Sequence, residues 1–375
     1  MKILHAITFL TGGAGRVILD LARHQIKSGF EVLIVANKTE YSGYKHYPEY
    51  IKEVRLLKIK IVFIDSMFKR DHGANEKASL HLSENILNDY KPSIIHSHSA
   101  IPSMVMREAL SKTFPHELPH ILTMHGWGIN KTLDMEIHDI GVMNKLSKVV
   151  ALNKSDKKLL ISKGLKDEKV QIIPNGISDT SSQIKSDFIK LKDQFNILCV
   201  GDLGERKNQR VLVEASTLLF ERGVLNRVTF WGLEFTEGYY ENIMLPLSKH
   251  DTTEWEGLKE NASDYLKNYD ALVLPSRSEG FPLIMLESFR EKVAFFGSNI
   301  ANINDIVKDG YNGYLFETEN ADDLAKKLEL FYMGKMPDVI QNAYKEFKEK
   351  YTSEIMYKNY KNLYVKIGFS IISFL

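Results

Sequence analysis

Short, uninterrupted apolar runs separated by longer helical patterns recur along the 375-residue chain. Ten of these runs are predicted strands: Lys2–Ile7, Glu31–Ala36, Ile59–Ile64, Ser93–His96, Ile121–Met124, Lys148–Ala151, Phe195–Val200, Arg227–Trp231, Ala271–Leu274 and Val293–Phe296. Because hydrophobicity along these runs is largely continuous rather than alternating, both faces of each strand should be covered, as in parallel sheets built from βα units. The pattern predicts an α/β protein with doubly wound parallel sheets.

A polar segment separates the first six of these runs from the last four and indicates two domains. Residues 175–182, which follow Pro174, are rich in Gly, Ser and Asp and form the most linker-like stretch of the chain. The length agrees, because domains commonly have about 100–200 residues. We therefore expect one domain at residues 1–178, a second at 179–352, and a C-terminal helix at 353–375 that packs back on the first domain.

The charge of the chain is balanced overall but differs between its two halves. A net charge of +1 is too low for a general nucleic-acid-binding protein, so we predict no nucleic-acid partner. Residues 1–178 nevertheless carry 25 Lys and Arg against 18 Asp and Glu, whereas residues 179–375 carry 24 against 30. Eleven of the twelve histidines precede residue 139. The two domains are therefore expected to have different chemical roles.

The cysteine content and the apolar runs bear on the location of the protein. The single cysteine, Cys199, lies inside an apolar run, which excludes a disulfide framework and a cysteine-based zinc site and fits a reducing cytoplasm. The apolar runs are all shorter than the roughly 18–20 residues of a membrane span. The terminal run, residues 367–375, is too short to cross a bilayer but could lie on one. We predict a cytoplasmic protein.

Chemically distinctive residues follow several predicted strands at their carboxyl ends, where open α/β sheets bind ligands. These are Gly12, Gly13 and Gly15 after the first strand, His96 and His98 at the fourth, His125 after the fifth, Arg206 and Lys207 after Phe195–Val200, and Ser276–Glu279 after Ala271–Leu274. The pattern predicts that both domains contribute to one ligand site in a cleft between them.

The glycine turn and the histidine pair each allow two interpretations. Gly12–Gly15 opens a helix whose exposed amides suit a phosphate, and a simple tight turn explains it equally well. A dinucleotide fingerprint would need Gly in place of Ile18 and an acid in place of Asn37, so a nicotinamide cofactor is disfavoured. His96 and His98 share one strand face that could bind a metal, but no third ligand is near them in sequence. We predict neither a metal nor a cofactor.

The segment from Leu274 to Glu287 carries the sharpest signal in the chain. Pro282 suits the first turn of a helix, so a helix should start at Leu283. Glu279 then lies in the preceding loop and Glu287 about one turn into the helix. One carboxylate can accept hydrogen bonds from a ribose diol while the other lies beside a sugar ring. Two solvated glutamates are the alternative interpretation, which the surrounding segment disfavours.

These motifs, in this order along nearly the whole chain, resemble the family 4 glycosyltransferases, a large retaining group with the GT-B fold of two Rossmann-like domains facing an inter-domain cleft. The resemblance rests on the Gly12-Gly13 loop, His96–His98, Thr123–His125, Ile172–Ile177, Val200–Leu203, Glu205–Asn208, the E-x7-E motif from Glu279 to Glu287, Asp309–Leu315, and the ending Tyr351–Glu354 through Leu363-Tyr364.

The resemblance implies a role for each matching residue. Gly12 and Gly13 would approach the diphosphate of the donor, and Lys207 would neutralise it. His125 would contact the transferred sugar near the reaction centre, and Glu279 would address the same sugar. Glu287 would bind the ribose, and the amides of Phe281 and Leu283 would face the sugar or diphosphate. The chain departs from the family at Asp202, where an Arg is usual, and Arg206 would replace that cation. It also departs at residues 291–293 and 301–305, where Gly-x-Pro and a Gly-Gly…Glu stretch are usual.

The function that the resemblance implies is transfer of a sugar from a nucleotide-diphosphate sugar to a glycan or lipid-linked acceptor, with retention. Such transfer serves the synthesis of cell-surface polysaccharide such as lipopolysaccharide, capsule or exopolysaccharide. A GT-B nucleotide-sugar epimerase, a NAD-dependent oxidoreductase and an inactive scaffold are the alternatives. Residues 1–178, the half expected to bind the acceptor, contain a group of basic residues: Lys52, Arg55, Lys58, Lys60, Lys69 and Arg70. These residues favour peripheral contact with the inner face of the membrane, and a solvated basic face explains them equally well.

Overall fold

The computed structural model describes residues 1–41, 43–113, 118–128, 131–180, 194–259 and 261–372. The chain divides into two compact units, which we call unit 1 (Met1–Ser178 with Ser353–Leu375) and unit 2 (Asp179–Thr352). Residues 181 and 182 of the predicted linker and residues 373–375 of the terminal apolar run lie outside the described residues.

Unit 1 is built on a seven-stranded parallel sheet with the strand order β3-β2-β1-β4-β5-β6-β7. The strands are β1 (Lys2–Ile7), β2 (Glu31–Asn37), β3 (Lys60–Ile64), β4 (Ile94–Ser97), β5 (His120–Thr123), β6 (Lys148–Ala151) and β7 (Val170–Ile172). The strand order reverses beside β1, which pairs with both β2 and β4. The carboxyl ends of β1 and β4 therefore lie at the switch point where ligands bind in such sheets.

Helices cover both faces of this sheet. They are α1 (Gly12–Lys27), α2 (Pro48–Leu56), α3 (His72–Leu82), α4 (Asn88–Tyr90), α5 (Ala100–Thr113), α6 (Leu133–Asn144) and α7 (Lys154–Ser162), with a π-helical turn at Ser83–Leu87 and a 3₁₀ turn at Asp167–Lys169. Side chains of Asp71, Thr132 and Asn153 cap α3, α6 and α7 by accepting an amide hydrogen bond. Thr11, before α1, makes no such side-chain bond.

Unit 2 is built on a six-stranded parallel sheet with the order β10-β9-β8-β11-β12-β13. The strands are β8 (Phe195–Val200), β9 (Asn226–Trp231), β10 (Thr253–Trp255), β11 (Ala271–Leu274), β12 (Ala294–Ser298) and β13 (Tyr314–Phe316). The helices are α8 (Arg210–Glu221), α9 (Leu283–Glu291), α10 (Ala301–Asn304), α11 (Ala321–Tyr332) and α12 (Ile340–Lys350), with short turns at Tyr240–Met244, Leu245–Leu247 and Ala262–Asn268. The switch point of this sheet lies between β8 and β11.

The last helix, α13 (Ser353–Ile372), belongs to unit 1, where it packs against α1. Its first amide, of Ser353, donates to the carbonyl of Ile177 at 2.7 Å, and Tyr357 stacks on His24 with 5.3 Å between ring centroids. Tyr360 and Tyr364 are fully buried. Within the described part of the chain, α13 and the other helices all fall short of the length and apolarity needed to cross a membrane.

All ten predicted strands are confirmed, with ends that differ by at most two residues. The prediction missed three strands, β7, β10 and β13, each of which has only three residues at or near a sheet edge. So short a run is not distinguishable from a loop by its hydrophobicity. The predicted class, two doubly wound parallel-sheet α/β units, is confirmed.

Candidate active site

In unit 2, the loop between β11 and α9 holds an almost buried carboxylate. The side chain of Glu279 is 7% exposed, and its Oε1 accepts hydrogen bonds from Lys207 Nζ at 2.6 Å and from Ser276 Oγ at 2.5 Å. Arg206 lies 3.6 Å from Oε2. Burial alone would raise the pKa of Glu279, but the positive charges of Lys207 and Arg206, with these hydrogen bonds, lower it overall. Glu279 is therefore ionised at neutral pH.

Two glycines make room for the lysine. Gly201, after β8, has φ +153°, and a Cβ at this position would lie 3.0 Å from Lys207 Cε. A Cβ on Gly232 would overlap the Gly201 carbonyl oxygen at 2.2 Å. The Gln209 amide fixes the same loop, because it donates to the carbonyls of Gly201 and Asp202 at 3.2 and 3.1 Å. The absence of these Cβ atoms thus leaves space for the Lys207 side chain to extend across the end of β8 to Glu279.

A second amide holds the carboxylate loop. Asn302, the second residue of α10, donates to the carbonyl oxygens of Glu279 and Gly280 at 2.7 and 3.1 Å. In the sequence, residues 301–305 stand out only as a departure from the family pattern, which gives no indication of this contact. One sequence offers no signal for it, since the contact joins segments 22 and 23 residues apart.

The remaining predicted residues of unit 2 lie on or beside α9. The helix begins at Leu283 as predicted, and Pro282 is the extended residue just before it. The helix N-terminus has no side-chain cap, so its first amides are available to an anion. Phe281 is buried and its ring lies 5.9 Å from that of Tyr351, and Glu287 is half-buried in the middle of the helix.

Asp202 and Arg206 occupy different environments. Asp202 Oδ1 accepts a hydrogen bond from the Leu233 amide at 3.1 Å, which ties the loop after β8 to the loop after β9. The Arg206 side chain is 45% exposed and donates to the carbonyl of Ser278 at 3.0 Å. Arg206 thus places a cation beside Glu279, while the acid at position 202 serves the packing of two loops.

In unit 1, the glycine turn starts α1. Gly12 has φ +52°, and its carbonyl accepts a hydrogen bond from Tyr50 Oη at 3.2 Å, while Gly13 is the second residue of the helix. A Cβ on Gly15 would lie 2.9 Å from the Tyr50 ring, so packing alone requires that glycine. Asn37, in place of the acid of a dinucleotide site, accepts from the Met67 amide at 2.8 Å and has a structural function.

A row of histidines leads from the carboxyl end of β5 into unit 1. His125 Nε2 lies 3.1 Å from His98 Nδ1, and His98 Nε2 lies 2.9 Å from His5 Nδ1. His5 Nε2 lies 3.0 Å from Gln25 Oε1. Burial lowers the pKa of His5 and of His125 to about 4, and burial together with neighbouring histidines lowers that of His98 well below its usual value. The row is therefore uncharged at neutral pH.

His5, His96 and His98 bring ligand nitrogens within 4.8 Å of one another, a spacing that could hold a metal ion. The third ligand is not recognisable in the sequence because His5 lies inside the apolar run of another strand. Both nitrogens of each ring, however, already lie within hydrogen-bond distance of a protein partner; for His96 these are Tyr364 at 2.9 Å and Thr123 at 2.7 Å. That no metal binds here stays a prediction.

Comparisons with known proteins identify the family. The family model described as Glycosyltransferase Family 4 matches residues 11–181, and that described as Glycosyl transferases group 1 matches residues 181–350. An uncharacterised glycosyltransferase of Methanocaldococcus jannaschii is 25% identical over 294 residues, which cover 76% of this chain and 79% of that protein. The UDP-Gal:alpha-D-GlcNAc-diphosphoundecaprenol alpha-1,3-galactosyltransferase of Escherichia coli is 23% identical over 288 residues, which cover 72% and 74%.

Among solved structures, Anabaena HepE in complex with UDP and glucose matches with a TM-score of 0.81 at 15% identity, over 98% of this chain and 100% of that one. At that identity the likeness shows the fold. Two Rossmann-like units with these motifs at their strand ends define an enzyme of the GT-B glycosyltransferase class. The chain belongs to glycosyltransferase family 4, with a group 1 glycosyl transferase domain in its second half. The family expected from the motifs is confirmed, and the epimerase and oxidoreductase alternatives are not favoured.

Proposed function

We propose that the protein transfers a sugar from a nucleoside-diphosphate sugar to a glycan or lipid-linked acceptor in the synthesis of a cell-surface polysaccharide. The observation that carries the proposal is the Lys207–Glu279 pair at the switch point of unit 2, with Arg206 beside it. The names of relatives support the acceptor class, since they include a galactosyltransferase acting on a diphosphoundecaprenol-linked sugar and a capsular polysaccharide glycosyltransferase.

In this proposal unit 2 binds the donor. Lys207 and Arg206 neutralise the diphosphate, and the uncapped N-terminus of α9, with the amides of Phe281 and Leu283, adds hydrogen-bond donors. Glu279 accepts hydrogen bonds from hydroxyls of the transferred sugar, and Glu287 accepts them from the ribose. These interactions favour catalysis to the extent that they strengthen as negative charge develops on the departing diphosphate.

Unit 1 would contribute the N-terminus of α1, at Gly12 and Gly13, to the diphosphate and His125 to the transferred sugar. A neutral His125 suits this position, because a protonated imidazole would oppose the positive charge that develops on the anomeric carbon.

The reaction exchanges one bond at the anomeric carbon for another. The bond from that carbon to the diphosphate oxygen breaks, and the acceptor oxygen forms its bond to the same carbon. With retention, the acceptor attacks from the face that the diphosphate leaves, and a diphosphate oxygen takes the acceptor proton. No step in this scheme uses a metal, so turnover should persist in excess chelator.

Binding and turnover test the proposal. Calorimetric titration with UDP, GDP and ADP should give binding with one of them, and UDP comes first because HepE binds it. Mass spectrometry of a reaction with the matching nucleotide sugars and an undecaprenyl-diphosphate-linked acceptor should then show a product heavier by one sugar. NMR of its anomeric proton reports retention. Failure of all three nucleotides to bind would refute the donor assignment.

We further propose that unit 1 contacts an anionic membrane surface through α2 and β3. Lys52, Arg55, Lys58 and Lys60 are exposed there, next to Leu56, whose surface is 73% exposed. Arg70 is excluded from this surface, because it pairs with the buried Asp139. Vesicles with anionic lipid should sediment the protein at low salt and release it at high salt, whereas neutral vesicles should not bind it.

A further inference from the structure

The hydrogen bonds along the row of neutral imidazoles in unit 1 all run in the same direction, from donor to acceptor. A neutral histidine carries one proton, so one ring nitrogen donates a hydrogen bond and the other accepts. In a row of such rings, the nitrogen that is protonated at one end determines which nitrogen is protonated in every ring that follows. The row His125–His98–His5 ends at the side-chain amide of Gln25, which is fully buried.

The amide end sets the direction. Gln25 turns its oxygen toward His5 Nε2 and its nitrogen toward the Tyr364 hydroxyl, at 3.0 and 3.4 Å. A carbonyl oxygen only accepts, so His5 is protonated on Nε2 and accepts at Nδ1. His98 must then donate from Nε2 and accept at Nδ1. His125 in turn must donate from Nε2.

A second branch is consistent with the same orientation of the amide. The Tyr364 hydroxyl accepts from Gln25 and donates to His96 Nδ1 at 2.9 Å, so His96 donates from Nε2 to the Thr123 hydroxyl at 2.7 Å. In this orientation the buried hydroxyl of Tyr364, on α13, accepts the amide proton of Gln25. The opposite orientation would reverse each bond in the row.

We propose that Gln25 is a positioning residue that, through His5 and His98, keeps the proton of His125 on Nε2 and leaves Nδ1 as a hydrogen-bond acceptor. Among the described residues Nδ1 of His125 has no hydrogen-bond partner, and the side chain is only half-buried. Nδ1 therefore accepts a hydrogen bond from a sugar hydroxyl, a role that rests on the donor-sugar contact proposed above. A His125 ring protonated on Nδ1 would instead donate a hydrogen bond to that hydroxyl.

Nitrogen NMR tests the tautomer without any reaction. In the full-length protein labelled with ¹⁵N-histidine, two-bond ¹H–¹⁵N spectra distinguish a protonated ring nitrogen from an unprotonated one. The His125 signals are assigned by their loss in His125→Gln. The expected result at pH 7 is a protonated Nε2 and an unprotonated Nδ1. A protonated Nδ1 in the wild type would overturn the proposal whether or not the protein turns over any donor.

Three variants test the coupling. Gln25→Met removes the acceptor at similar size, so both tautomers of His125 should appear. Gln25→Glu keeps an acceptor facing His5, so the wild-type tautomer should persist. His120→Gln is the matched control, because His120 is buried in the same sheet but hydrogen-bonds Ser97 rather than the row. An unchanged His125 spectrum in a folded Gln25→Met protein would overturn the proposal.

Turnover supplies a second readout. Because only one tautomer is competent, kcat of Gln25→Met should fall by about threefold with KM nearly unchanged, in step with the fraction of His125 protonated on Nε2. His120→Gln should keep the wild-type kcat. If the wild type shows the expected spectrum but transfers no sugar from any donor, the proposed function fails and the tautomer assignment stands.

Discussion

The two groups of site residues handle burial in opposite ways. In unit 2 the buried Glu279 keeps its charge, because Lys207 and Arg206 compensate for the loss of water. In unit 1 the buried imidazoles of His5 and His98 are uncharged at neutral pH, because burial is not compensated: their neighbours are other histidines and neutral hydrogen-bonding groups. One site is thus built from ion pairs and the other from directed, neutral hydrogen bonds.

This difference matches a division of chemical labour. In the proposed reaction a diphosphate leaving group needs fixed positive charge, which Lys207 and Arg206 of unit 2 would supply. A sugar carbon on which positive charge develops needs shape and hydrogen bonds without added positive charge, which the neutral imidazoles of unit 1 would supply. The predictions below test this contrast.

The largest effect is expected from Glu279→Gln, which keeps the shape of the side chain and removes its charge. Turnover should fall by about 100- to 1,000-fold, the loss typical for a preorganised electrostatic contact. Steady-state kinetics measures it, and circular dichroism verifies the fold. Glu319→Gln is the control, since Glu319 pairs with Arg277 and Arg210 at the surface. Near-wild-type turnover of Glu279→Gln would refute the catalytic assignment.

Lys207→Met should damage both binding and stability. It removes the closest cation from an almost buried carboxylate, which costs about 3 kcal/mol in the free energy of unfolding, and the pKa of Glu279 should rise. Nucleoside diphosphate affinity should fall at least about tenfold, since a charge-assisted contact is lost. Urea denaturation and calorimetry measure the two effects.

The double variant Lys207→Met/Glu279→Gln separates the effect on stability from the effect on nucleotide binding. Removing both charges leaves no uncompensated carboxylate, so most of the stability should return while nucleotide affinity stays low. Stability losses that simply add would contradict a direct coupling between the two side chains.

Acid should weaken unit 1 before unit 2. In the unfolded chain, histidine side chains protonate near pH 6.5. In the folded protein, burial lowers the pKa of His5 and His125 to about 4 and that of His120 to about 3. Between these values the unfolded state binds more protons, so stability is lost as the pH falls below 6.5, by about 1.4 kcal/mol per pH unit for each histidine.

The pKa of Glu279 is lowered, so its stabilising contribution is lost only as the pH falls below about 4.5. Hydrogen–deuterium exchange, corrected for the intrinsic rate at each pH, should show peptides of β1, β4 and β5 opening between pH 6.5 and 4.5 while those of β8 and β11 stay protected. Equal loss in both units would contradict the contrast.

The smallest effect is expected from Arg206→Gln. Its guanidinium is half-exposed and 3.6 Å from Glu279, so solvent screens its charge. Nucleoside diphosphate affinity should fall only about two- to fivefold. A loss as large as that of Lys207→Met would mean that Arg206 fully replaces the cation usual at position 202.

The sequence was sufficient for the ten described strands of four residues or more, because continuous apolar runs are local properties, but it missed the three-residue strands β7, β10 and β13. The Glu279–Glu287 segment and Lys207 were also recognisable, since their motifs are contiguous. His5 escaped notice because a histidine inside an apolar strand looks like any buried residue until the neighbouring strand brings His98 against it. Asn302 and Gln25 escaped for the same reason, because their significance lies in which way an amide faces in three dimensions.

The return of the chain to unit 1 also orders events during synthesis. Ser353 is bonded to Ile177, and the tyrosines of α13 complete the polar interior that contains Gln25 and His96. Those tyrosines are translated only after all of unit 2 has been translated. Unit 1 is begun first and finished last, so a truncated product lacking α13 would expose unpaired imidazoles and amides. The polar interior of unit 1 thereby distinguishes a chain that contains α13 from one truncated before it.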